Sequence, residues 1–536
     1  MSTRRSMLLV SALFLLAGGA CNKDPDPKAE TLVISISSDS TIFNPFSPSF
    51  SRIGQHVTGR LMRVDSSGQS HPSIAQSILP EPGSHHWIIE LNPQAQFFSS
   101  AGADPVTVED VISSITAYAN PKTGSTYAGA LESGGYAGVE RIDERYVRVK
   151  FDRAWAPAPS YLGALGVWPT KLVTGLVAEP DLKVPALELV GAGPYRIVEY
   201  QAKDHAVLEP TGEGVAYRFE VMEPTAAATA MRRGEIDLVY AEPNLQAAYR
   251  KMPGVTLMGY DYHEVISLSC RAGATPAEPK RQKLCEALFL SVDAEAMRTA
   301  VAEVGSAPAK GRLFAEQDAA FNAPDAESIV PGFSPEKAKQ ALDAAGYAVG
   351  PDGQRRKPDG SPLIVGIVTY SSISEYPSLA SRLKYDLERL LKVSVDARVV
   401  DYSQYIEVVS GRRADVDWTL LIAEWPFHKV FDPTLAESIA SSSNPTKGSG
   451  RNYVGVQDPQ IDALVSAADA ELEQGRRAKL FANIHRRLLA ERWVKPLYFA
   501  RDAWIVSERV TGYDPADTNF KHTLEQFPER LHLKSR

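Results

Sequence analysis

The chain has 536 residues, 44% of them hydrophobic and 23% charged, the profile of folded globular protein rather than of a disordered chain. Its formal net charge is -8, which argues against nucleic-acid binding, since such binders carry a basic domain. The length allows about three or four units of ~150 residues.

A targeting segment comes first. Arg4 and Arg5 precede an apolar run, Met7–Leu16, too short to span a bilayer. Gly18-Gly19-Ala20-Cys21 then sets small residues before a cysteine. This resembles a bacterial lipoprotein cleavage box, with Gly18 where a leucine is usual. It implies removal of residues 1–20, lipidation of Cys21 and a membrane anchor; the alternative is ordinary secretion with cleavage near Ala20. Several acyl chains anchor stably where one does not. Polar, Pro-containing residues 21–30 read as a lipidated, flexible tether.

Thr31–Ser37 is a β-rich run, and Ser38–Ser51 a turn-rich loop carrying Phe43, Asn44, Phe46 and Phe50. Trp87–Leu91 is a short strand bounded by Gly83-Ser84 and Asn92-Pro93. Thr107 and Asp110 form a capping-box-like start. Val108, Val111, Ile112, Ile115 and Tyr118 follow at helical spacing. Arg145–Phe151 alternates as a strand does. Gly191-Ala192-Gly193-Pro194 reads as a turn in which Gly and Pro set the backbone angles; it is no phosphate loop, because the glycines are few and no Lys-Ser/Thr follows. Thr225–Gly234 reads as a helix closed by Arg232, Arg233 and Gly234, with strand Glu235–Tyr240 after it. Val265–Cys270 reads as a strand. Phe333–Tyr347 is a helix with Ser334 as cap, Pro335 in its first turn and Gly346 as stop.

Residues 361–425 locate a candidate site. Pro362–Tyr370, Val393–Val400 and Trp418–Trp425 read as strands, separated by helices over Pro377–Leu391 and Ser403–Ser410. Strand-helix-strand-helix-strand implies a parallel sheet with right-handed crossovers. Ligands of open α/β sheets bind beyond the carboxyl ends of the strands. Those ends bring Tyr370, Ser371, Glu424 and Trp425 to one edge.

Several motifs, in order, resemble family 5 extracytoplasmic solute-binding proteins, the peptide- and nickel-type receptors of ABC importers. They are the stretch from His71 to Ser113, the Gly191–Arg196 turn, the helix and strand ending in Glu235-Ile236-Asp237, Lys283–Asp293 and the Phe333–Tyr347 helix. The resemblance implies an α/β, two-lobed periplasmic-binding-protein fold (type II, cluster C) with an extra small domain in the first lobe. Lobe I would comprise 31–62, 191–264 and 498–536, the inserted subdomain 63–190, and lobe II 265–497. It implies a monomeric, periplasmic lipoprotein, on the inner or outer membrane, that closes on a small solute or short peptide and delivers it to ABC permease and ATPase subunits. The alternative is a receptor reporting to a membrane signalling partner.

The same resemblance places the loop carrying Phe43, Asn44 and Phe50 at the mouth of the ligand cleft, the alternative for each aromatic being that it packs the lobe. It sets Phe427 and His428 in the loop that follows the Glu424-Trp425 edge; Arg451, in the neighbouring loop, is a further candidate by its position in the chain. Gly59-Arg60 stands where the family has an acid and then glycine. In peptide receptors an aspartate three residues before an Asp-Pro pair grips the peptide's amino terminus. Here Asp432-Pro433 keeps the pair and Lys429 stands at the acid's position. A lysine cannot accept a hydrogen bond from an ammonium, which favours a neutral or anionic solute.

Beyond Cys21, the cysteines are Cys270 and Cys285. In an oxidising compartment an even pair points to a disulfide; two buried thiols are the alternative. Neither has the spacing of a metal pair. No Gly-x-Ser-x-Gly, His-Glu-x-x-His or Ser-x-x-Lys constellation with its partners is present, so no enzyme, cofactor or metal is expected.

Overall fold

The computed structural model describes residues 31–37, 39–47, 49–65, 69–100, 102–241, 246–271, 279–302, 306–371, 373, 375–409, 413, 416–426, 452–514 and 520–534. At 259–264, 279–280, 302, 316–318, 403, 425–426 and 501–502 it describes the backbone alone.

An eleven-stranded sheet runs through the molecule. Its strands in chain order are β1 (Thr31–Ile36), β2 (Tyr195–Gln201), β3 (His205–Pro210), β4 (Ala216–Val221), β5 (Leu238–Ala241), β6 (Val255–Cys270), β7 (Ser306–Pro308), β8 (Ile364–Tyr370), β9 (Ser394–Val400), β10 (Leu420–Pro426) and β11 (Val494–Ser507). Their spatial order is β2-β3-β4-β1-β5-β11-β6-β10-β8-β9, and β7 pairs with β11. β1 lies parallel to β4 and β5. It is buried nearly throughout, which is why it reads as an apolar run rather than an alternating one.

β6 and β11 have 16 and 14 residues, the longer about 50 Å at ~3.3 Å per residue. They pair antiparallel from Val255↔Ser507 to Asp261↔Arg501, lose register, and resume with Val265↔Phe499. Separate apolar cores flank that break. Leu32, Ile34, Val57, Trp168 and Tyr217 belong to one; Leu268, Leu288, Leu383 and Ile422 belong to another. A third, with Leu313, Phe481 and Trp493, adjoins the first half of β11 through Val494 and Phe499. Separate cores, joined here by a two-stranded ribbon, make two lobes.

Within 63–190 an antiparallel sheet forms in the order 75–80, 87–91, 146–151, 136–141. Helix α1 (Val108–Ala119) starts with a complete capping box: Asp110 N–H donates to Thr107 Oγ1, and Thr107 N–H donates to the Asp110 carboxylate at 3.0 Å. Val108, Val111, Ile115 and Tyr118 are buried, in the same core as Leu32 and Tyr217. Among the described residues no helix is long and apolar enough to cross a membrane.

The Gly191–Pro194 turn differs from its sequence reading. Neither Gly191 nor Gly193 has a positive φ. A Cβ on Gly191 would lie 2.1 Å from Val57 O, and one on Gly193 2.5 Å from the Val57 carbonyl carbon. Close approach, not backbone angle, demands these glycines; Gly193 N–H donates to Val57 O at 2.9 Å.

Helix α2 (Pro224–Arg232) is followed by Gly234 at φ 68, where glycine is at ease. β5 then begins at Leu238, later than the apolar pattern suggests. Helix α3 (Pro279–Leu290) carries Cys285, which is disulfide-bonded to Cys270 at the end of β6. Helix α4 (Pro335–Ala344) has Ser334 at its N-cap, but the Ser334 side chain makes no capping hydrogen bond. Pro335, which needs no donor partner, sets the first turn instead. Helices α5 (Glu375–Leu391) and α6 (Tyr402–Val409) connect β8, β9 and β10, and β8 lies parallel to both other strands. Leu379, Leu383, Leu387 and Leu391 are buried beneath α5, and Leu390 is half-buried. Helix α7 (Gln474–Ala490) covers the third core.

Candidate functional site

The carboxyl ends of β8 and β10 hold a carboxylate among phenols. Glu424, on β10, accepts the Tyr370 hydroxyl at 2.5 Å and 2.6 Å on its two oxygens, and the Tyr376 hydroxyl bonds to the same carboxylate. Tyr370 is the last residue of β8 and Tyr376 the second residue of α5, so the crossover itself brings them together.

The Tyr370 ring meets Tyr376 edge-on at 5.0 Å, Tyr402 edge-on at 5.2 Å and Tyr405 at 4.7 Å. Such pairs gain from the ring quadrupole beyond the area they bury. Tyr402 and Tyr405 stack, with centroids 6.0 Å apart. Tyr370 and Tyr405 are buried, whereas Tyr402 is 55% exposed. The cluster therefore shows one ring to solvent, with the Glu424 carboxylate half-buried at its centre.

Burial, and then the negative charge of Glu424, push the Tyr370 and Tyr405 hydroxyls far above their ordinary range. Both remain donors at every physiological pH. Tyr498 on β11 repeats the arrangement: its hydroxyl donates to Glu375 Oε2 at 2.8 Å, and burial and Glu375 push it up in turn.

Ser371 is exposed, and its N–H donates to Val400 O at 2.9 Å. The Trp425 backbone pairs with Val265 across to β6; its side chain lies outside the described residues. Phe427, His428, Lys429, Asp432, Pro433, Arg451 and Cys21 also lie outside them.

The loop after β1 is turned inward. Phe43 is 3% exposed and meets Tyr200 edge-on at 5.1 Å. Asn44 donates from Nδ2 to Pro180 O at 2.8 Å, and its Oδ1 accepts Phe46 N–H at 2.9 Å, an Asx turn. Phe50 is half-buried against Trp168. Asp39 accepts Ser51 Oγ at 2.5 Å and Arg52 N–H at 2.8 Å, and burial raises its pKa. Arg60 approaches Glu525 at 3.9 Å, between two cavities of about 310 and 250 Å³ in lobe I. The cation that replaces the family's acid thus faces an acid of its own lobe.

Tyr376, Tyr402 and Tyr405 were missed in the strand-by-strand reading. The signal was available: helices that follow parallel strands begin at the same edge, so residues of their first turns belong to it.

Residues 69–444 match the family described as bacterial extracellular solute-binding proteins, family 5. A Brucella ovis chain named as an ABC transporter peptide-binding protein is 25% identical over 414 residues, 71% of this chain and 70% of that one. The oligopeptide-binding protein AppA of Bacillus subtilis, solved with a nonapeptide, superposes with a TM-score of 0.76 at 17% identity, over 94% of this chain and 99% of that chain. NikZ of Campylobacter jejuni, solved with Ni(L-His), superposes with a TM-score of 0.70 at 18% identity, over 90% of this chain and 95% of that one. The fold is the two-lobed one of these binding proteins.

Proposed function

We infer the function from one premise: the chain belongs to family 5 of the bacterial extracellular solute-binding proteins. It is the receptor of an ABC importer that captures a small solute or short peptide between its lobes and hands it to a membrane permease. Closure follows from tighter ligand contacts in the shut form. The Brucella relative's name and the nonapeptide in AppA support a peptide-like ligand. Cys21 carries the lipid that holds the receptor to the membrane.

The observation that carries the reading is the Tyr370–Tyr376–Glu424 cluster with the exposed Tyr402 ring beside it, at the carboxyl ends of parallel strands. Strand ends of this kind are where such sheets take ligands. Apolar walls with a few convergent polar groups suit a small organic molecule. We propose that Trp425, Phe427, His428 and Arg451, with Phe50 of the first lobe, also contact the ligand.

Native mass spectrometry of the mature protein as purified reveals a non-covalent ligand at one per chain. Tyr402→Ala and Trp425→Ala each weaken binding of that compound about tenfold or more, the scale of a lost aromatic wall. Unchanged affinity in both variants rejects the edge as the site. Turnover of the compound by the isolated chain rejects the receptor reading altogether.

A further inference from the structure

On the flank of lobe II, between β7 and α7, lies a cavity of about 770 Å³, within the range of small-molecule sites. It shares no lining residue with the Tyr370–Glu424 edge and sits over a different core, that of Leu313, Phe314 and Phe481. Its floor is methyl groups and rings: Ala323, Ala326 and Ala482 are buried there, with Pro308 and Pro324 at the sides. Its rim is cationic. Lys310, Arg312 and Lys479 line it against one lining acid, Glu327.

Lys310 and Lys479 are exposed, and neither forms an ion pair among the described residues. Arg312 lies over the Phe499 ring at 5.5 Å. The neighbouring acid Asp325 is already held by Arg486 at 3.0 Å. An excess of positive charge here stands out on a chain whose net charge is -8.

The walls are clamped from beneath. His485, 1% exposed, accepts Ala323 N–H on Nδ1 at 2.9 Å and meets Gly311 O with Nε2 at 2.9 Å. One neutral tautomer thus ties both walls together. Asn322 accepts Leu313 N–H and Phe314 N–H, each at 3.0 Å, and donates to Phe314 O at 2.7 Å. Lys310 itself has φ 50, a left-handed conformation uncommon outside glycine. The following Gly311, at φ 80, has Ala326 O where a Cβ would stand, 2.7 Å away. A cationic rim on a rigid, apolar-floored hollow is the arrangement of a preorganised site.

We propose that this hollow binds a small organic anion with an apolar body, distinct from the solute carried between the lobes. The charged end lies among Lys310, Arg312 and Lys479, and the apolar body covers the alanine floor. A charge-assisted contact supplies orientation, and burial of the body supplies affinity.

Isothermal titration calorimetry of the mature chain tests this with three probes: octanoate, octanol and acetate. Octanoate binds at one per chain, and octanol and acetate each bind at least about tenfold more weakly, because each lacks one half of the recognised chemistry. Lys310→Gly removes the charge and relieves the backbone, and Lys479→Glu reverses a charge on an exposed helix face. Each weakens octanoate about tenfold while the melting temperature holds. Tyr402→Ala, at the other edge, leaves octanoate binding unchanged. The proposal is overturned if octanoate does not bind, if it binds no better than octanol or acetate, or if the lysine variants bind it normally. It is also overturned if Tyr402→Ala abolishes octanoate binding, which would place the probe between the lobes; that result leaves the importer reading intact.

Discussion

Both lobes bury carboxylates, and they hold them differently. In the first lobe Asp237, 2% exposed, takes Arg509 Nη1 at 2.9 Å and 2.8 Å and Val33 N–H at 2.9 Å. A charge is met there by a charge and sealed in. In the second lobe Glu424 is held by the phenols Tyr370 and Tyr376, and Glu375 by Tyr498. Dipoles hold those acids in place at a strand edge that solvent reaches through Tyr402. The first arrangement anchors β1 at Val33; the second holds the edge proposed as the ligand site.

Acid offers the largest perturbation of that contrast. Burial lowers the pKa of His56 and His522 in the first lobe, and of His485 in the second, to about 4. Their folded values lie below the unfolded one, so their stabilisation is complete above pH 6.5 and is lost as pH falls from there toward 4. Each costs about 3 kcal/mol by the end of that window, at roughly 1.4 kcal/mol per unit. Urea melts at pH 7, 5.5 and 4.5, read with hydrogen exchange, will find the first lobe softening before the second. Equal loss in both lobes breaks the assignment.

Arg509→Met comes next. It leaves the Asp237 charge buried and unpaired, which costs about 3–5 kcal/mol. Adding Asp237→Asn recovers part of the loss; no recovery would show that the arginine acts through packing rather than charge.

Removing the Cys270–Cys285 bridge, which closes a separation of 15 residues, costs roughly 3 kcal/mol. The effect belongs to the second lobe and leaves exchange in the first unchanged. Thiol labelling of unreduced, denatured mature chain should detect neither cysteine.

Glu424→Gln is the smallest in stability, about 1 kcal/mol for a hydrogen-bonded acid replaced by an amide. Its effect is on ligand affinity, because the amide keeps one acceptor oxygen and turns the other into a donor facing the tyrosine hydroxyls. A large loss of stability with normal affinity would make Glu424 an anchor like Asp237 and erase the contrast.

What was legible in the sequence follows the range of the interactions involved. Strand Trp87–Leu91 and the Thr107–Asp110 cap were legible because flanking turns and a three-residue spacing carry the whole signal. The β8–β10 edge was legible through topology, since alternating strands and helices force the parallel order. The Asp237–Arg509 pair spans 272 positions, and no local pattern announces it. Gly191 and Gly193 look like turn formers, yet Val57, distant in sequence, decides them. Phe43 and Asn44 carry aromatic and amide chemistry that suits a ligand mouth, but the lobe uses it for packing and an Asx turn.

The unbroken passage of β6 and β11 through both lobes restricts how the molecule can open. Loops would let the halves slide or swing in any direction. A paired ribbon resists in-plane shear through its hydrogen-bond ladder and yields mainly to twisting about its own length. The missing rungs between Asp261 and Val265 put the compliance at one level, so the proposed closure on a ligand would follow a single torsional coordinate.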